Sequence, residues 1–159
     1  MSKKNIELLT IHSGKDAEVP YKWSAGRHRS RFFVEIRDNK KLFGIKCHLC
    51  GKVYVPPKPV CGICFTEMDE PVELGLEGEI MTYTIIRFGF LDPATGETKP
   101  VPYAYGEIKL DGADTALQHD IIYKNEANLK NGARVEVIFN EERNGTLKKD
   151  IKGFRLIES

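Results

Sequence analysis

Cys47-His48-Leu49-Cys50-Gly51-Lys52, with ten residues between Cys50 and the following Cys61-Gly62-Ile63-Cys64, decides how this chain is read. All four cysteines of its 159 residues lie here, as two C-x-x-C pairs. A C-x-x-C pair closes a tight turn that aims two thiolates at one centre. Two such turns facing each other make a tetrahedron of sulfur, the arrangement Zn²⁺ takes in structural sites. Gly51 follows the first pair and Gly62 lies inside the second. Both can adopt the positive φ that lets backbone N–H groups turn back toward the sulfurs.

Two pairs with no cysteine left over favour a metal over a redox dithiol. Two other readings stay open. Two disulfides would need an oxidising compartment, and four thiolates also suit iron in a rubredoxin-type site. Four protein ligands leave no open position for substrate or water, so the metal is read as architectural. Metal binding in small zinc modules is worth on the order of 10–16 kcal/mol, enough to fold a segment with little core.

The rest of the composition is that of a globular protein: 41% hydrophobic, 30% charged, net charge +1. The near-neutral balance does not favour nucleic acid as a bulk electrostatic partner. No apolar run approaches a membrane span. Met1-Ser2-Lys3-Lys4-Asn5-Ile6-Glu7 has no apolar core of the secretory kind. With metal-type cysteines, this points to the cytoplasm.

Three parts are expected: an arm and helix over 1–42, a zinc ribbon over 43–71 and an OB-fold domain over 72–159. Residues 1–22 read as an extended arm that frays or lies on something. Trp23 reads as a core or interface anchor. Ser24 is the expected N-cap of a helix to about Asp38, with Phe32, Phe33 and Ile36 as its apolar stripe. Arg27, His28, Arg29 and Arg31 make its start basic, either as a solvated face or as a phosphate or partner contact. Lys41–Lys46 is a short strand into the first cysteine pair. Pro56, Pro57 and Pro59 stiffen the link between the pairs and forbid a helix there.

From Val72 the pattern becomes that of strands, expected over 80–88, 102–110, 115–123, 133–140 and 151–157. Gly89–Pro100 is a long loop, and Asn144-Gly145 signals a type I′ hairpin. Five strands with one loop-rich connection fit a small closed barrel of oligonucleotide/oligosaccharide-binding (OB) type. The fold class is therefore mainly β: helical arm, rubredoxin-like ribbon, five-stranded OB barrel.

Catalytic constellations are hard to find. The thiols are committed to metal. His48 lies inside a knuckle and is read as solvent-facing. His119 has no Ser, Cys or Asp beside it in a recognised pattern. Phosphate-binding glycine motifs are absent from the sequence. The residues describe a binding or scaffolding module, with no catalytic residue assigned.

Trp23, Gly26, Arg31-Phe32-Phe33, Lys40 to Cys47, Cys50-Gly51, Pro56-Pro57, Cys61, Cys64, Gly78, Thr82-Tyr83-Thr84, Pro102-Tyr103 and Gly132-Ala133-Arg134-Val135, in that order, resemble the DUF35 family. The resemblance spans residue 20 to the end. It implies an N-terminal helical segment, a rubredoxin-like ribbon holding Zn²⁺ on Cys47, Cys50, Cys61 and Cys64, and an OB fold. It also implies a thiolase-superfamily partner subunit acting on acyl-CoA thioesters, which would supply the nucleophilic cysteine and the base. By length and stand-alone architecture the chain is most similar to the small zinc-finger subunit of benzoylsuccinyl-CoA thiolase, of anaerobic toluene degradation. CoA carries phosphates and an adenine, so Arg27, Arg29, Lys46, Lys52, Tyr54 and Lys58 are its candidate contacts. The alternatives are a stand-alone acyl-CoA-binding protein and a ribbon/OB nucleic-acid module.

Overall fold

The computed structural model describes residues 7, 9–12, 22–89, 91–92 and 96–157. The remainder of the expected N-terminal arm, and Phe90 and 93–95 of the expected long loop, lie outside them. Strands β1 (Thr10–His12) and β2 (Lys22–Ser24) pair antiparallel, with Ile11 opposite Trp23. Helix α1 then runs Arg27–Asn39. Ser24 is therefore not its N-cap. That position is Gly26, and the Ser24 hydroxyl instead accepts the Gly26 N–H at 3.1 Å. Trp23 is 40% exposed, which excludes it from the core. The helix stripe is as the spacing requires: Phe32 and Ile36 are fully buried and Phe33 is half-buried. The described part of the arm lies on this helix. The Leu9 N–H reaches the Ser30 hydroxyl at 3.1 Å, and Glu7 pairs with Arg37 at 2.9 Å.

Strand β3 (Leu42–Lys46) is central to a three-stranded sheet, between β4 (Val53–Tyr54) and β5 (Glu70–Leu74). Strand β5 crosses the expected ribbon-to-barrel join at 71/72, so the ribbon's sheet continues to Leu74. Only Gly75 and Leu76 then separate it from β6 (Glu77–Ile86).

The barrel is closed, in the order β10-β12-β11-β6-β9 and back to β10. Its later strands are β9 (Tyr103–Leu110), β10 (Leu117–Ile122), β11 (Arg134–Phe139) and β12 (Ile151–Leu156). Numbered within the barrel, this is 1-2-3-5-4-1, the order of an OB fold. Four joins are antiparallel, and β10 with β12 is the parallel closure, Ile121 opposite Phe154. Inward and outward residues alternate along β9, as a barrel wall requires. At Gly106 a side chain could not fit: a Cβ there would run into the Thr82 carbonyl oxygen, beside the bulge in β6. The connection from β6 to β9 carries a small hairpin, β7 (Leu91–Asp92) with β8 (Glu97–Thr98).

Asn144-Gly145 does not form a type I′ hairpin. Gly145 has φ 88°, but Asn144 is not at positive φ, and type I′ needs both. A one-turn helix, α2 (Leu147–Asp150), follows instead. The fully buried Asp150 carboxylate takes the Asn144 N–H at 2.7 Å and the Gly145 N–H at 2.9 Å. Arg143, in the same loop, donates to the Arg37 carbonyl of α1 at 2.7 Å. The loop thereby ties the barrel to the helix.

Ribbon and barrel are joined as firmly. Val53 N–H donates to the Asp114 carboxylate at 2.8 Å, and Asp114 N–H returns to the Val53 carbonyl at 2.9 Å. The Thr115 hydroxyl bonds both the N–H and the carbonyl of Val55, each at 2.8 Å. Phe32, Ile45, Ile80, Ile108 and Phe154 belong to one continuous buried cluster. No helix among the described residues is long and apolar enough to cross a membrane.

Candidate metal centre

The two cysteine turns repeat one backbone pattern. Cys47 N–H donates to the Lys52 carbonyl at 2.9 Å, and Gly51 N–H returns to the Cys47 carbonyl at 2.8 Å. Cys61 N–H donates to the Thr66 carbonyl at 2.9 Å, and Phe65 N–H returns to the Cys61 carbonyl at 3.0 Å. Each turn needs a left-handed residue four positions after its first cysteine. Gly51 fills that place in the first turn with φ 73°. In the second turn Phe65 fills it, with φ 54°. Gly62, which as a glycine can adopt positive φ, is not in that region. Phe65 accepts a backbone conformation that favours glycine.

The geometry brings the four sulfurs together. All lie within 4.8 Å of one another, and Cys50 Sγ is 3.7 Å from Cys61 Sγ. A metal held 2.3 Å from four sulfurs at tetrahedral corners sets them about 3.8 Å apart, so the set fits such an ion. Cys47 and Cys61 are buried, Cys64 is half-buried and Cys50 is exposed. The Cys61 sulfur faces the Tyr54 hydroxyl at 3.3 Å and the Cys64 and Ile63 N–H groups at 3.4 and 3.5 Å. Tyr54, then the Cys64 and Ile63 amides, bring the Cys61 thiol down to about 6. Desolvation, then the neighbouring sulfurs, pushes Cys64 up to about 12. Four thiols so placed shed protons most readily when a cation replaces them.

The turn tips are apolar and solvent-facing. Phe65 is 82% exposed, Leu49 65% and Ile63 56%. His48, next to Leu49 in sequence, is exposed, as expected. Exposed aromatic and aliphatic side chains on both tips are a feature the sequence reading did not single out. The pattern x-x-C-x-L-C with C-x-I-C-F contains them, but exposure depends on which way each turn faces.

Beside the ribbon lies a groove of about 670 Å³. Arg27, Arg29 and Lys58 line it, with His28, His48 and the carboxylates Glu67 and Asp69. It opens at the start of α1, where Gly26 gives no side-chain cap and the first turn holds no acidic residue. Burial, then Arg27, holds the His28 imidazole below its usual value. The six residues expected to contact CoA thus separate. Arg27, Arg29 and Lys58 share the groove. Lys46 is on β3, 4.0 Å from Glu70, and Lys52 is exposed beyond the first turn. Tyr54 is buried against Cys61, with its hydroxyl turned inward.

His119 is only 4% exposed on β10. Its ring meets Phe154 edge-on with centroids 6.0 Å apart, and Nε2 lies 3.4 Å from the Leu147 carbonyl. Nδ1 is buried without a hydrogen-bond partner. Burial lowers its basicity below the ordinary value of 6.5.

Residues 71–140 match the family described as the C-terminal OB-fold domain of ChsH2. A DUF35 domain-containing scaffold protein of Pyrococcus furiosus is 28% identical over 109 residues, 69% of this chain and 76% of the relative. One of the same description from Methanocaldococcus jannaschii is 26% identical over 110 residues, 69% and 74% of the two chains. These matches show that the chain is similar to DUF35 domain-containing proteins. Among solved structures, a chain of the Ltp2-ChsH2(DUF35) aldolase superposes with TM-score 0.61 at 20% identity, covering 82% of this chain and 95% of that one. A DUF35 protein of unknown function from Sulfolobus solfataricus gives TM-score 0.55 at 24% identity, covering 79% and 81%. At these identities the likeness shows a shared fold.

Proposed function

We propose that this chain is a non-catalytic scaffold subunit that holds Zn²⁺ on Cys47, Cys50, Cys61 and Cys64 and presents its ribbon to a thiolase-superfamily enzyme. One observation carries the reading: Leu49, Ile63 and Phe65 stand in solvent on the tips of a turn pair whose interior is fixed by four sulfurs. Large apolar side chains clustered in solvent mark interaction sites, and aromatic anchors dominate interface energies. Phe65 is the sharpest case, because a solvent-facing phenylalanine at a left-handed position gives the isolated chain nothing. The scaffold description of the archaeal relatives supports the same role.

When bound, a four-thiolate zinc neutralises the packed sulfurs and locks both turns. The chain's own residues do the rest. The turns aim the apolar tips outward. Arg27, Arg29 and Lys58, with the uncapped start of α1, favour the phosphates of a CoA thioester. The catalytic cysteine and base then belong to the partner. The acyl-CoA substrate we favour within this reading is benzoylsuccinyl-CoA, in toluene breakdown, on the resemblance to that enzyme's small subunit.

The test is co-purification from the native host with assay of acyl-CoA thiolysis. The expected result is a thiolase-superfamily partner, with turnover by the complex and none by this chain alone. Tight acyl-CoA binding by the isolated chain, without a partner, would favour a lone carrier instead. Salt-dependent binding of single strands at micromolar concentration would favour the nucleic-acid module.

A further inference from the structure

Tyr54 stands apart from the other tyrosines. It lies on β4, in register with Ile45 of β3, the strand that leads into Cys47. Its ring is packed in the ribbon core, 6% exposed. Its hydroxyl oxygen is 3.3 Å from Cys61 Sγ, and the Gly62 amide approaches the same oxygen from the second turn. Its backbone thus belongs to the strand pair that carries the first turn, and its side chain ends on the second.

The direction of the bond follows from the chemistry. A metal-bound cysteine is a thiolate and has no proton to give. The phenol has one, so the bond is O–H to S⁻. Cys61 also faces the Ile63 and Cys64 amides, which makes three donors on one ligand sulfur. The two amides come from the turn itself. The phenol comes from a different strand, so it constrains where the whole turn sits.

We propose that Tyr54 is a positioning residue of the metal centre, whose O–H, donated to the Cys61 sulfur, withdraws charge from that ligand and pins the second cysteine turn to the ribbon sheet. The proposal rests on the four-cysteine metal reading. It moves Tyr54 from the CoA contacts to the metal shell. Partners that orient ligands in this way are typically worth 10–100-fold in metal affinity.

Tyr54→Phe removes the hydroxyl and keeps the ring. Competition against a chelator should show zinc held about 10–100-fold more weakly than in the unaltered chain. In the Co²⁺-substituted protein, sulfur-to-metal charge transfer should move to lower energy, because an undamped thiolate gives up electron density more easily. A role confined to packing would leave that band in place. Replacing the tyrosines with 3,5-difluorotyrosine keeps the side chain and strengthens the donor, and the band should then move to higher energy. This arm decides the matter where Tyr54→Phe fails to fold. Unchanged zinc retention and an unmoved band in the folded variant, or no response to fluorination, would overturn the proposal. An unaltered chain that takes up no metal would instead defeat the metal reading itself.

Discussion

Replacing Phe65 with glycine should separate folding from partner binding, with effects of opposite sign. The ring is 82% exposed, so the folded chain loses almost no packing when it is removed. The backbone at φ 54° is where a side chain is strained. A non-glycine residue there costs roughly 1–2 kcal/mol. Glycine gives back about 0.5–1 kcal/mol through the freer unfolded chain. The net is a gain of about 0.5 kcal/mol, so the midpoint of zinc-loaded denaturant unfolding should stay or rise. Binding should behave the other way. An aromatic side chain can bury about 150–250 Å², most of it still available at Phe65. At about 25 cal/mol per Å² that is several kcal/mol gross, of which interface costs leave about half. A loss of about 2 kcal/mol, near 30-fold in affinity for the enzyme subunit, is the expected result. Denaturant melts and titration calorimetry with the co-purified partner measure the two halves. A destabilised Phe65→Gly chain that binds its partner as before would refute both the strain argument and the docking role of the tip.

Three further outcomes follow from the geometry. Cys47→Ser or Cys64→Ser should lose zinc by metal analysis and unfold the ribbon, since three sulfurs cannot close the tetrahedron. Stability should fall as pH drops below about 6.5, where the unfolded chain takes a proton that buried His119, beside Asp120 and Lys99, resists. The slope should approach about 1.4 kcal/mol per pH unit and flatten in His119→Gln; equal slopes in the two proteins would count against it. Charge reversal at Arg27 and Arg29 should raise the KM of the complex for its CoA thioester about tenfold or more with little change in kcat, as expected of residues that bind phosphate without touching the reacting carbon.

Much of the fold was legible because its signals are local. The cysteine spacing marks the two turns, and strand-forming composition between turn signals marks the barrel strands to within three residues. The helix stripe at Phe32, Phe33 and Ile36 was equally plain. The errors arose where a distant partner decides the outcome. Ser24 has the chemistry of an N-cap, but pairing of β2 with β1 holds it in a strand two residues too early. Asn144-Gly145 has the composition of a tight hairpin, but Asp150 draws both amides onto its carboxylate and a helical turn results. At the metal centre, Gly62 has the freedom that a left-handed position asks for. The hydrogen-bond pattern instead fixes that position by count from Cys61 and places Phe65 there. Tyr54 is a candidate CoA contact by its aromatic side chain alone. Only the pairing of β4 with β3 turns it inward to the sulfur.

The central claim is that this chain works by holding a surface for an enzyme, with its metal inside the scaffold. It is tested most directly by tagging the chain in its native host and isolating it gently. The subunits are then identified by mass spectrometry, and acyl-CoA thiolysis is assayed before and after they are separated. The account predicts a stoichiometric complex with a thiolase-superfamily chain, active together and inactive as the isolated small subunit. A zinc-loaded monomer with no such partner, or thiolysis by this chain alone, would contradict it.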